Sequence, residues 1–350
     1  MLAYDFGPKH PLKPERLRRA IALVESLVGE CSIDPGPLDL THLLLAHDGH
    51  YIEFLQRIER PETPATDAVQ YGFGKIDNPR FDGVFSASCA YVSGSVAAAN
   101  AVVSGAHRAF NLSGGLHHAR RNRAHGFCVF NDCVIAITLL QRKFPRVAYV
   151  DLDVHHGEGV QFAFEDDSTV LTCSIHQDGR TLFPGTGAIS EHGPHFNAVN
   201  VPLPRGTGID AWLLGVREGI LPALRAFKPD ALVLQCGTDS HFEDPLAHIN
   251  NTARGWQAAL SDLHNLSLPT VCLGGGGYAL NWVPRFWTAA VLTLMGLPIP
   301  RELPESLSRL WGVSLMHEDG PVPDAAAGKQ EVMQTIEALK AHVFPRIPSG

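Results

Sequence analysis

The 350-residue sequence has no Cys-x-x-Cys pair, and its seven cysteines are scattered at 31, 89, 128, 133, 173, 236 and 272. An odd, unpatterned set argues against a disulfide framework and against a thiolate metal site, so reduced, mostly core thiols are expected. Positive charge is also scarce. The 28 Lys and Arg are outnumbered by 36 Asp and Glu, leaving a formal net charge of -8. Phosphate binding needs clustered excess cations, so nucleic acid is not expected as the main partner, whereas an acidic surface suits basic substrates. No unbroken run of 18 apolar residues occurs, and the opening MLAYDFGPKHPLKPER lacks the apolar core of a signal peptide. No membrane partner is therefore expected, and the expected compartment is the cytoplasm.

What is present reads as a folded enzyme. Hydrophobic residues make up 45% and charged residues 18%, with no internal repeat or low-complexity linker. A single domain over 1–350 is expected, its Pro-rich LPIPRELPES stretch preceding a peripheral helix near 329–342. Short Val-, Leu- and Ala-rich runs predict buried parallel strands at Val147 to Val150, Thr169 to Ile175, Ala231 to Cys236 and Thr270 to Leu273, with another in RAFNLS. Helical patterns fall near 86–104, 131–142, 209–226, 252–265 and 281–296. This alternation predicts an α/β fold, one parallel sheet covered on both faces, with ligands at the carboxyl ends of its strands.

The chemically loaded residues sit where those strands end. In extended backbone, residues two apart share a face, so Asp151, Asp153 and His155 in DLDVHH project together. Asp239 in CGTDS adds a third N/O ligand to Asp153 and His155 and leaves a position for water, as in a catalytic zinc site. Fe(II), Co(II) and Mn(II) suit the same donors. The pair His117 and His118 offers a general base and a general acid near neutrality. The run Gly274 to Gly277 allows close backbone approach, and Tyr278 follows it with a hydroxyl donor. Each element alone has a bland explanation as a polar strand terminus, an incidental histidine pair or a tight turn. Their coincidence on successive strand ends carries the functional reading.

LSGGLHHARRNRAHGFCVFND, VAYVDLDVHHGEGV, SIHQDGRTLFPGTG, QCGTDS and LGGGGY resemble, in order and spacing, the zinc-dependent histone deacetylase family, nearest to its class I and bacterial acetoin-utilisation branches. The likeness extends upstream through HPLKPERL and YGFGKIDNP, giving a catalytic core of about 4–300 and a peripheral segment of about 301–350. It implies the arginase/deacetylase fold, with an eight-stranded parallel sheet between helices. It also implies one Zn2+ on Asp153, His155 and Asp239, with His117 and His118 as the paired histidines. Asp151 and Glu158 stand behind those histidines, and Tyr278 polarises the carbonyl. A structural K+ is implied at Asp151, Asp153, His155, Ser174 and Ile175, with a weaker second site near Phe164 and Val170. Gly126, Phe127, Phe183 and Leu246 match the substrate tunnel, Gly276 a further substrate-binding position, and Asp77 the rim that grips substrate backbone.

The resemblance implies a lysine deacetylase acting on acetyl-lysine in proteins or peptides and sensitive to hydroxamates. Polyamine-selective relatives carry a glutamate where Leu246 stands, so acyl-lysine is favoured, with acetylpolyamine or another acyl amide as the alternative. A silent acyl-lysine-binding module and a two-manganese ureohydrolase are further alternatives. The latter needs a second Asp where this chain has His241. The sequence departs from the family pattern at Glu158, usually Asp, at Leu116, where class I members have Trp, and at His241, usually apolar. It also begins where the family's first strand should nearly be finished.

Overall fold

The computed structural model describes residues 2–60, 62, 66–74 and 77–348. Helices α1 (Glu15–Val28), α2 (Gly49–Arg57) and α3 (Val84–Val103) precede strand β1 (Arg108–Asn111). Then follow α4 (Asp132–Leu140), β2 (Val147–Asp151), α5 (Glu158–Phe164), β3 (Val170–Gln177) and β4 (Ala198–Leu203). The remaining elements are α6 (Ile209–Leu214), α7 (Leu221–Phe227), β5 (Ala231–Gln235), α8 (Ala253–His264), β6 (Thr270–Leu273), α9 (Val283–Leu294), α10 (Glu305–Trp311) and α11 (Lys329–His342). The strands form one sheet in the order β1-β6-β5-β2-β3-β4, every pair parallel.

Alternation along the strands divides the core in two. Val147, Tyr149, Ala231, Val233, Val271 and Leu273 pack on one face with α2, α3 and α4. Ala148, Val150, Leu232, Leu234 and Cys272 pack on the other with α7, α8, α9 and α11. This is the period-two burial of a sheet covered on both sides, and it explains why these strands read as unbroken apolar runs. Helix α3 is long and apolar enough to cross a membrane by length and composition, yet 61% of its apolar window is buried inside the fold. Five of the seven cysteines are buried, Cys89 is partly so, and Cys31 is exposed; none is paired.

The sheet has six strands among the described residues, which corrects the eight expected. The physical reason lies before β1. Gly7, Pro8, Pro11 and Pro14 interrupt the approach to α1, and Pro35, Gly36 and Pro37 follow it, so neither stretch can supply a run of ladder donors. Residues near the N-terminus instead form turns, with the Tyr4 hydroxyl donating to the Phe127 carbonyl at 2.7 Å. Strand β4 has no clear apolar run in the sequence because Pro202 breaks its pattern; proline is tolerated there because β4 is an edge strand. The helix expected over 209–226 is α6 and α7 joined by a π-helical stretch at Gly215–Ile220.

Candidate active site

In the sheet order, β1, β6, β5 and β2 are consecutive neighbours. The loops leaving their carboxyl ends carry His117 and His118, Gly274 to Tyr278, Asp239, and Asp153 with His155, so four sequence-distant motifs meet at one end of the sheet. The first loop is held by a buried carboxylate. Asp132, at the start of α4, accepts the backbone N–H groups of Gly115 and Leu116 at 2.9 and 2.8 Å and the Ser95 hydroxyl at 2.5 Å. Asn131 donates to the carbonyls of His117 and Ala119 at 3.1 and 2.9 Å. Together these fix the direction of the histidine pair.

One ligand atom each from Asp153, His155 and Asp239 lies within 4.8 Å of the others, all three residues being buried. His155 Nδ1 is 3.1 Å from Asp153 Oδ1 and 3.2 Å from Asp239 Oδ2. The outer oxygens are already engaged: Asp153 Oδ2 accepts from Gln235 Nε2 and the Gly276 N–H, both at 2.8 Å, and Asp239 Oδ1 accepts the Val154 N–H at 2.8 Å. Burial, reinforced by Asp153, pushes the Asp239 carboxyl up to about 7. Two dry carboxylates and an imidazole, with their outer atoms tied back and inner atoms converging, fit a divalent cation by donor type and by supporting bonds. No second such group occurs among the described residues.

Above the triad, His117 Nδ1 donates to Asp151 Oδ2 at 2.7 Å, and His118 Nδ1 to Glu158 Oε2 at 2.6 Å. Their Nε2 atoms face each other at 3.0 Å. The environments separate the pair. Burial alone would depress His117, but Asp151 and Asp153 overcome it and raise the imidazole to about 9. Burial and then the neighbouring His117 charge lower His118 to about 3, leaving it neutral with Nε2 as an acceptor. Asp151 is itself held by the Tyr149 hydroxyl at 2.8 Å and the Asp153 N–H at 3.1 Å. Burial opposes ionisation of Glu158, but His118 and His125 hold it far below the usual carboxylate range.

The tunnel positions flank this centre. The Phe183 ring packs on His118 at 5.0 Å and on His155 at 6.3 Å between centroids, while Phe127 packs edge-on to Tyr278 at 5.9 Å. Gly126 lies between His118 and Phe183 with φ of 50°, where an added Cβ would fall 2.5 Å from the His118 ring. Gly276 lies against Asp153 and Asp239. Tyr278 is aimed by Asp244, whose Oδ2 accepts the Tyr278 N–H and whose Oδ1 accepts the Leu246 N–H, at 2.8 and 2.9 Å. Burial, with Asp239 and Asp153 nearby, keeps the Tyr278 hydroxyl protonated well above its ordinary range. Asp77 is exposed, and its carbonyl lies 3.3 Å from His10 Nε2, the His10 ring packing on Phe127 at 4.4 Å.

The residues expected from the resemblance to hold potassium have other partners in the fold. Ser174 pairs across β2 and β3 with Asp151, and its hydroxyl is 2.8 Å from His176 Nδ1; Ile175 follows it in the core. The carbonyls of Phe164 and Val170 converge on Asn197 Nδ2 at 2.8 and 3.1 Å. His241 points away from the triad: its ring stacks on Trp282 at 4.1 Å and its Nε2 lies 3.1 Å from Glu318.

Four site residues had no sequence signal of their own. Arg16, on α1, donates to the Gly275 and Gly277 carbonyls at 2.8 and 3.1 Å, with its guanidinium 5.1 Å over the Trp287 ring. Gln235, Asp244 and His125 are the others. The quoted motifs contained Arg16, Gln235 and His125 but gave no reason to single them out.

The histone deacetylase domain profile matches residues 10–294. The acetoin utilization protein AcuC of Bacillus subtilis is 36% identical over 323 residues, covering 88% of this chain and 83% of the relative. Histone deacetylase 8 of Xenopus tropicalis is 33% identical over 342 residues, covering 94% and 92%. Among solved structures, a histone deacetylase homologue from Aquifex aeolicus superposes with a TM-score of 0.89 at 29% identity, covering 97% of this chain and 98% of that one. A histone deacetylase homologue complexed with SAHA superposes at 0.88 with 30% identity, covering 96% of both chains. With its profile match spanning most of the sequence and its strand-end site assembled from the same motifs, the chain belongs to the histone deacetylase family.

Proposed function

We propose that the chain is a zinc-dependent lysine deacetylase, hydrolysing the amide of Nε-acetyl-lysine in proteins or peptides. The observation that carries this reading is the pairing of two histidines, each on its own buried carboxylate, over a buried Asp-His-Asp triad, flanked by Phe127 and Phe183. Asp153, His155 and Asp239 would hold the metal. When bound, zinc supplies Lewis acidity, polarising a carbonyl and lowering the pKa of a water towards about 7.

The chain's own residues account for the proton steps. His118, with Nδ1 committed to Glu158, takes the attacking water's proton at Nε2. Tyr278 donates its hydroxyl hydrogen bond to the acetyl oxygen as negative charge develops there. The C–N bond then breaks as a protonated histidine, His118 or the already cationic His117, gives a proton to the leaving lysine amine. Acetate and free lysine are the products. His117 on Asp151 also screens the carboxylates of the site.

Phe127 and Phe183 suit an uncharged methylene chain. Leu246 beside Asp244 offers no carboxylate to a second substrate cation, which favours acyl-lysine over acetylpolyamine. Asp77 would grip substrate backbone at the rim, and Ser174 with Ile175 and Asp151 would hold a structural potassium. The relative solved with SAHA supports sensitivity to hydroxamates. The test is a side-by-side assay of zinc-loaded protein on an acetyl-lysine peptide and acetylspermidine, with a hydroxamate control. Preference for the peptide, abolished by the hydroxamate, is expected; preference for acetylspermidine overturns the substrate assignment, and no hydrolysis of either overturns the activity.

A further inference from the structure

Glu158 is buried at the start of α5, and its two oxygens are divided between two histidines. Oε2 accepts from His118 Nδ1 at 2.6 Å and Oε1 from His125 Nδ1 at 2.5 Å. The Arg120 guanidinium is also near it, 3.8 Å from Oε1 and 40% exposed. A carboxylate held by one oxygen alone can rotate about its last bond, whereas one held by both has its plane fixed. His125 also belongs to the tunnel. Its backbone closes a tight turn with Cys128, N–H to carbonyl in both directions at 3.0 and 2.9 Å, and that turn carries Gly126 and Phe127. The His125 ring packs on Phe183 at 4.8 Å and is 23% exposed.

We infer that His125 is a positioning residue: through Glu158 it locks the orientation of the general base His118 to the turn that forms the tunnel wall. This rests on the deacetylase reading for the role of His118. One Glu158 carboxylate reaches both rings at once. A seated acyl chain that presses on Phe127 or Phe183 thus acts on the same turn and carboxylate that aim His118 Nε2.

The experiment compares His125→Phe, which keeps a ring against Phe183 but has no donor, with His125→Asn, whose amide N–H replaces Nδ1–H. Partners that orient metal-bound imidazoles are typically worth about 10- to 100-fold, and by the same logic His125→Phe is expected to lower kcat about tenfold with little change in KM, and His125→Asn to recover most of it. Imidazole nitrogen and N–H NMR resonances of His118 should move in His125→Phe and return in His125→Asn. Unchanged kcat and resonances in His125→Phe, or no recovery in His125→Asn, would overturn the inference. A wild-type enzyme silent on every acyl-lysine would instead count against the deacetylase reading, and the His118 resonances alone would then decide whether His125 holds Glu158.

Discussion

At the scale of single residues, the site works by giving like groups unlike surroundings. His117 and His118 are adjacent in sequence, yet carboxylates on one side and a neighbouring charge on the other separate their proton affinities. In the proposed reaction Tyr278 is the donor to developing oxyanion charge, so Tyr278→Phe should lower kcat by about 10²- to 10³-fold while zinc content stays unchanged. Steady-state kinetics with metal analysis checks this, and full activity would remove Tyr278 from the mechanism. His47 makes a pH prediction away from the metal. It donates Nδ1–H to the Arg120 carbonyl and accepts the Asn131 N–H at Nε2, a pattern only the neutral ring can make. Burial lowers it from 6.5 to about 4. Between those values the unfolded chain binds the proton and the folded chain does not. Stability is therefore complete above 6.5 and falls as pH drops towards 4, by on the order of 3 kcal/mol. Denaturant unfolding at pH 7 and pH 5 should show the loss, and His47→Gln should flatten that part of it.

At the scale of elements, the strands were legible and the ties between them were not. β2, β3 and β5 are short apolar runs ending in polar residues, β6 is one ending at a glycine run, and runs of that kind announce themselves locally. β4 was hidden by Pro202, and the missing outer strands reflect proline and glycine in the stretches before β1. Asp153, His155 and the histidine pair were readable because each lies in a motif a few residues long. Arg16 was not, because its partners are Gly275 and Gly277, some 260 positions away. Gln235 likewise acts by reaching across to Asp153 and Gly115. Through-space contacts of this kind leave no periodicity in the chain. They also predict. Arg16→Met leaves two loop carbonyls without donors and should cost about 1–3 kcal/mol in denaturant unfolding, with kcat falling more than KM rises because Tyr278 loses its support. Gly275 has φ of 116°, and an added Cβ would lie 2.3 Å from Gln235 Nε2. Gly275→Ala should therefore impair turnover through loop strain of about 1–3 kcal/mol, measurable as lost kcat with a retained circular dichroism spectrum.

At the scale of the whole molecule, a sheet packed on both faces puts its adaptable loops at one end, and that end gathers two carboxylates, an imidazole, a histidine pair and Tyr278 from the loops of four strands. His241 is turned onto Trp282 and Glu318, and the described residues offer one three-ligand group, which favours one metal over the two of a ureohydrolase. Under the proposed function one metal on Asp153, His155 and Asp239 carries amide hydrolysis. The direct measurement is titration of chelator-stripped protein with zinc while following acetyl-lysine peptide deacetylation, with Asp239→Ala in parallel. Activity rising to a plateau at one zinc per chain, and absent together with bound zinc in Asp239→Ala, is the predicted result. Turnover that survives stripping, or that requires two metals per chain, would contradict it.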